Sequence, residues 1–348
     1  MHHRYAGKKV AFLTQHGKES LVAPLLGPTI GCEILRTEGY DTDSLGTFSG
    51  EIKRPDSQLK TAKLKARMGM RLSGLSIGLG SEGSFVPDPY GGLMPWNIEV
   101  LSWLDDVHGL EIVGMAQGPA RSMQRCLQND VELQAFAEAA GFPEHHLLLR
   151  PQSETDLRLH KGLAHWADLR QAFQQCLRAS NNARVYAEND LRAFCNPTRQ
   201  WMIRRAAEDL LKKIQTACPA CDLPGFSKVS HTPGLPCRNC HCPTKLAKAF
   251  RWQCAACAYA QEIPASELHA DPSRCDVCNP WPIDSRCPRS GAWVNFVFQD
   301  FALRIHARQH HVSRANVLAH ELANVDMVRH QNEGAIAFAF EGHRHKIL

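Results

Sequence analysis

A mixed α/β sheet with flanking helices, followed by a small zinc-ribbon-like module, is the fold class this sequence predicts, and three observations predict it. Apolar, β-prone runs alternate with segments of helical periodicity through the first 216 residues. Ten of the 14 cysteines crowd into residues 218–287, eight of them as four CxxC pairs. The chain of 348 residues, 44% hydrophobic and 22% charged, is long enough for two or three domains, each with its own core. We therefore expect an α/β domain over 1–216, a metal-binding module over 217–287 and a variable extension over 288–348.

The elements follow in order. "KKVAFLTQ" is a strand, and "GKESLVAPLLGPTIG" continues with a helical spacing broken by Gly27 and Pro28. "CEILRT" is a second strand. After the acidic, Gly-rich loop "EGYDTDSLGTFSGEIKR" comes a strong helix, "SQLKTAKLKARMGMRLSG", with Leu59, Ala62, Ala66 and Met70 on one face, Lys60, Lys63, Arg67 and Arg71 elsewhere, and its end at Gly74. "LSIGLGSEGSF" is a buried strand that carries Glu82 to the point where it leaves the core. "NIEVLSWLDD" and "LEIVGMAQ" are further strands, and "DVELQAFAEAAG" is a helix. "ARVYAENDLRAF" reads as a strand end. Asn196 then caps a helix over about 197–216, with Pro197 first and Trp201, Ile203, Ala207, Leu210, Leu211 and Ile214 on its core face.

In open α/β sheets, ligands gather outside strand ends, where loops meet helix N-termini. Lys18, in the turn after strand one, is placed to meet phosphate. Gly80 and Gly83 are expected to let a ligand approach the backbone beside Glu82. Asp41, Asp43, Glu51 and Glu82 lie on loop or strand ends, where carboxylates can hold magnesium together with substrate phosphates. Glu188, Asp190, Arg192 and Arg199, packed near Glu82, would complete an anion and magnesium site, the alternative being a capping and salt-bridge cluster.

The CxxC pairs are Cys218 and Cys221, Cys237 and Cys240, Cys254 and Cys257, and Cys275 and Cys278. Fifteen residues separate the first pair from the second and 17 the third from the fourth, spacings that suit four-thiolate zinc sites. Two structural zinc ions are expected. Sequential pairing is simplest, and interleaved pairing, first with third and second with fourth, uses the same ligands. Cys242 and Cys287 are competing ligands, and His241 reads as an exposed loop residue. With all positions filled by sulfur, neither site leaves room for a metal-bound water. "CPTKLAKAFRWQC" interleaves Lys245, Lys248 and Arg251 with Phe250 and Trp252, either a nucleic-acid surface or a solvated hairpin.

The order "TQHGKE", acidic loop, "AKLKAR" helix and "GLGSEGSF" resembles, over about residues 8–120, the house-cleaning pyrophosphatases that act on inosine and xanthosine triphosphates. That resemblance implies Thr14, Lys18 and Lys65 on phosphate, Glu51 as metal ligand or base and Glu82 on metal, with Glu51 and Glu82 catalytic. His16 stands where that family has asparagine, and Lys18 arrives one residue early. "HGKE", "EGYDTDSLGTFSGEI", "GLGSEGSF", "DLRAFCNPTR" and "CPACDLPGF" through "CRNCHCPT" are more closely similar, over about 5–280, to a bacterial family known as a domain of unknown function, which brings no activity with it.

A net charge of +5 is too mild to announce nucleic acid. No apolar run approaches the roughly 18 residues of a membrane span, and "MHHRYAGKKVAFLTQHGK" lacks a secretory signal pattern, so a cytoplasmic, reducing setting is expected. In the tail, "VLAHELAN" has Asn324 where a zinc-protease helix needs its second histidine. The expected reading is a magnesium-dependent nucleotide phosphohydrolase, with a noncatalytic nucleotide- or nucleic-acid-binding zinc protein as the alternative.

Overall fold

A computed structural model describes residues 4–15, 17–45 and 56–280. The expected Glu51, the side chain of Asp43, His16, the competing ligand Cys287 and the tail from 288 lie outside the described residues. The described residues form two compact units, one of those up to Phe226 together with Cys254–Cys257, the other of Ser227–Gln253 and those from Ala258 to Pro280.

The first unit holds a five-stranded mixed sheet in the order β2-β1-β3-β4-β5, from β1 (Lys9–Leu13), β2 (Glu33–Thr37), β3 (Ile77–Pro87), β4 (Pro95–Asp105) and β5 (Leu110–Pro119). β1 runs parallel to both β2 and β3, and β3, β4 and β5 follow as antiparallel neighbours. Helix α1 (Glu19–Ile30) connects β1 to β2, and α2 (Gln58–Ser73) lies between β2 and β3. Contrary to the sequence expectation, α1 runs on through Gly27 and Pro28 to its left-handed cap at Gly31. α2 is capped by Ser57, whose hydroxyl accepts from Lys60 N, and ends at left-handed Gly74.

The two faces of this sheet are covered by different helices, and glycines set how closely they pack. On β3, Gly78 and Gly80 face α2: a Cβ on Gly78 would meet Met70, and one on Gly80 would collide with the carbonyl of Ala62. The opposite face takes α5 (Pro197–Gln215), for which Gly114 on β5 leaves room against Ala206 and Leu210. These glycines serve helix packing, whereas the sequence reading gave Gly80 to a ligand. Asn196 caps α5, its side chain accepting from Arg199 N, with Pro197 at the first turn.

A second, four-stranded antiparallel sheet in the same unit has the order β6-β9-β7-β8, from β6 (Gln124–Leu127), β7 (Leu147–Pro151), β8 (His160–Leu163) and β9 (Val185–Asn189). Helices α3 (Asp130–Ala140) and α4 (Trp166–Ala179) contribute Leu133, Phe136, Leu169 and Phe173 to its core. The other unit contains a three-stranded antiparallel sheet, β10 (Ser227–Pro233), β11 (Ala247–Gln253) and β12 (Ala260–Pro264). No helix among the described residues is long and apolar enough to cross a membrane.

Candidate functional site

The chain path puts a crevice at the carboxyl end of β1. From β1 it goes through α1 to one neighbour, β2, then through α2 to the other neighbour, β3, so the strand order reverses at β1. Such a reversal opens a gap outside the strand ends, between helices on opposite faces. β1 stops at Leu13 and pairs with β3 only at Ala11 with Gly78 and Phe12 with Leu79. Ser81 and Glu82 therefore lie past the end of β1, although they belong to an 11-residue strand. This corrects the sequence expectation: Glu82 is in the middle of β3, not at its end. The strand continues because β4 pairs with it over its whole length, from Ile77 with Asp105 to Pro87 with Pro95.

Three cations and two carboxylates gather there. Lys65 Nζ donates to Glu82 Oε2 at 2.6 Å on the α2 side, both side chains nearly buried. On the other face Lys18, just before α1, donates to Ser81 Oγ at 3.2 Å. Arg199, 1% exposed, donates through Nε to Glu99 Oε1 at 2.7 Å and through Nη1 to Leu191 O at 2.6 Å. Gly83 is what admits this pair, since a Cβ there would run into Glu99 and Arg199. Asn97 Nδ2 also donates to Glu99 Oε1 at 3.1 Å, while Glu99 Oε2 has no hydrogen-bond partner among the described residues. Burial lowers the Lys18 ammonium to about 7, the nearby Arg199 charge adds to that, and Glu99 and Glu82 oppose it.

The helix ends add partial positive charge. α1 begins directly after Lys18, and Gln58 in the first turn of α2 donates to Glu82 O at 2.9 Å and Ile98 O at 2.8 Å, so that N-terminus sits over β3 and β4. Thr14 is buried just past β1. Thr42 Oγ1 donates to Gln15 Oε1 at 2.7 Å and ties the loops after β2 and β1 together.

Arg192 and Asp190 occupy a separate position after β9. Arg192 is bonded to Asp190 through Nε and Nη2, and Gly162 N donates to Asp190 Oδ2 at 2.9 Å. Burial pushes the Asp190 carboxyl up, but Arg192 outweighs it and the net shift is downward. These two side chains, with Lys161 and Glu188, line a shallow pocket. The link from this loop to the β1 crevice is Arg199, through Leu191 O. Sequence reasoning missed Glu99, whose partner is 100 positions away. A lone acid in "NIEVLSW" was the available signal.

The cysteines form two groups of four, Cys218, Cys221, Cys254 and Cys257 in the first unit, and Cys237, Cys240, Cys275 and Cys278 in the second. The pairing is the interleaved one, first with third and second with fourth. Sulfurs are 3.7 Å apart for Cys218 and Cys257, 3.6 Å for Cys221 and Cys254, 3.7 Å for Cys237 and Cys278, and 3.6 Å for Cys240 and Cys275. A tetrahedron of sulfurs at ~2.3 Å from a metal has edges of ~3.8 Å, whereas a disulfide needs ~2.05 Å, so both groups have the size of a metal cage. Backbone amides turn inward to the sulfurs: Ala220 N to Cys218, Asn239 N to Cys237 and Ala256 N to Cys254, at 3.3–3.4 Å. The backbone N–H groups of Cys240 and Asn239, with the neighbouring thiols of Cys278 and Cys240, hold the Cys237 thiol below its ordinary range against the effect of burial. Asp222, His241 and Ala258, each directly after a CxxC pair, adopt φ of 59°, the left-handed step that turns the chain out of the knuckle. His241 and Cys242 belong to neither group.

Fold and sites thus define an α/β protein with two four-cysteine groups that could hold metal ions. The chain belongs to the DUF6671 family, described as a domain of unknown function, whose sequence pattern matches residues 65–280. That segment includes Lys65, Glu82, Glu99, Arg199 and all eight cysteines, and begins after Thr14 and Lys18. No curated protein matches the sequence.

Proposed function

We propose that the first unit binds the phosphates of a nucleotide in the β1 crevice and hydrolyses a phosphoanhydride bond with magnesium. The observation that carries this reading is the convergence of Lys18, Lys65 and two helix N-termini on Ser81 and Glu82, at the point where the strand order reverses. Thr14, Lys18 and Lys65 would orient and neutralise phosphate oxygens, with Arg199 holding Glu99 and the 190–192 loop in place behind them. Glu82 is the carboxylate we assign to magnesium, which takes one or two acids and completes its shell with substrate phosphates and water. Bound there, the ion would supply charge neutralisation at the phosphates. Lys65 then exchanges its bond to Glu82 for one to phosphate. Water would form the new P–O bond as the anhydride P–O bond breaks, the bonding pair leaving with the departing phosphate or pyrophosphate and the water's proton passing to that leaving group or to solvent.

The two cysteine groups are proposed to hold zinc. In a reducing cytoplasm the sulfurs remain thiolates, and four of them close the coordination sphere, leaving both ions structural.

Phosphate and pyrophosphate release from a panel of standard and deaminated nucleoside triphosphates tests the reading, with magnesium added and Glu82→Gln and Lys18→Met compared with the native chain. We expect release by the native protein and its loss in Glu82→Gln at unchanged zinc content. Tight nucleotide binding without release would leave a noncatalytic binding protein, and neither binding nor release would end both readings.

A further inference from the structure

The three-stranded sheet of the second unit has two chemically different faces. Side chains alternate along β11, so Lys248, Phe250 and Trp252 share one face and Ala249 and Arg251 the other. The register extends this division across the sheet. On β10, Lys228 pairs with Trp252 and His231 with Phe250, and on β12, Gln261 and Ile263 stand opposite the same two aromatics. Glu262 is on the other face, opposite Arg251, where it accepts from Thr232 Oγ1 at 3.0 Å. The aromatic face thus carries Lys228, Lys248 and His231 and no carboxylate from any of the three strands. Lys228 Nζ stands 3.5 Å from the centre of the Phe250 ring, a cation–π contact that holds the ammonium over the sheet.

This arrangement divides the run "KLAKAFRWQC". Arg251 belongs to the acid-bearing face, and Lys245 is taken by Asp276 at 2.9 Å. The cations that accompany the aromatics are Lys248, from that run, and Lys228, which is 24 positions away across the sheet from Trp252.

From this we infer that the aromatic face of β10, β11 and β12 binds single-stranded nucleic acid, with a base stacked on Trp252 and backbone phosphates on Lys228 and Lys248. Two features select this occupant. Half-buried aromatic rings between lysines suit alternating bases and phosphates, and the three strands place no carboxylate on that face to repel a polyanion. A duplex hides its bases and offers only the phosphate half of that complementarity.

The test is fluorescence anisotropy of a labelled oligothymidylate of roughly 20 nucleotides with the full chain, from about 50 to about 200 mM salt. We expect saturable binding that weakens with salt. Lys228→Ala with Lys248→Ala should make the log–log salt slope shallower by about 1.4, at ~0.7 per single-strand phosphate contact. Trp252→Ala should weaken binding roughly 5- to 150-fold, the range for loss of one stacked base. Arg251→Ala, on the opposite face, should keep the native slope, and metal content measured on each variant identifies one that has lost its fold. The native chain gives a second readout independent of any variant: unlabelled single strand should displace the probe, while a duplex or an uncharged-backbone analogue should not. Absence of binding at low salt, equal displacement by duplex, or a loss in Arg251→Ala as large as in the lysine pair would overturn the proposal.

Discussion

Lys18 is the residue at which burial and chemistry meet. Its ammonium is lowered to about 7 from an ordinary 10.5. Between those values the unfolded chain binds more protons than the folded one, so the contribution of Lys18 to stability rises as pH increases from about 7 toward 10.5. Below about 7 both states are protonated and the burial penalty is present in full. Urea unfolding of native protein and Lys18→Met across this window should therefore show a difference that is largest at the acid end and shrinks with pH. The phosphate binding proposed for the protonated amine has the opposite trend and should weaken above pH 7. Lys65 and Glu82 make a second residue-scale case. Glu82→Leu leaves a buried lysine unpaired and should cost about 3–5 kcal/mol, whereas adding Lys65→Met should restore much of that stability, because an apolar pair avoids the desolvation of both charges. A double-mutant cycle by chemical unfolding checks this.

At the scale of elements, the contact between α2 and β3 depends on backbone approach. Gly80 sits under Ala62 and Ala66, and its substitution by alanine requires the helix to move away from the strand. We expect Gly80→Ala to destabilise by about 1–3 kcal/mol, the usual range for overpacking, in a thermal unfolding measurement. Gly109, at φ 63° with open space around a Cβ, offers a control in which only backbone strain contributes. The sequence pattern located α2 well because Ser57 and Gly74 mark its ends and its apolar face is periodic. It misread the end of α1, since Pro28 looks like a stop signal, although the helix bonds on to Gly31. It also left α4 unread, although Leu169, Phe173 and Cys176 give that helix an apolar stripe of ordinary spacing.

For the whole molecule, two metal-sized cages in different units make a stoichiometric prediction. Native protein should carry two equivalents of zinc by elemental analysis, Cys218→Ser and Cys237→Ser one each, and stripping with a strong chelator should lower the unfolding temperature. By itself the sequence determined the fold class, the main helix caps and the eight cysteines of the two groups, because these rest on local spacing: periodicity, a capping side chain, or two sulfurs on one tight turn. Interleaved pairing of the cysteines was decided only in three dimensions, since sulfurs of Cys218 and Cys257 meet across 39 positions and both pairings fit the linear intervals. The same holds for Glu82, which looks like a strand terminus until β4 is seen to pair through it, and for Arg199 of α5, whose partner Glu99 lies on β4. A short-range pattern reports which way a side chain faces. Which charge it meets there depends on strand order and register, and those are set by the packing of the whole sheet.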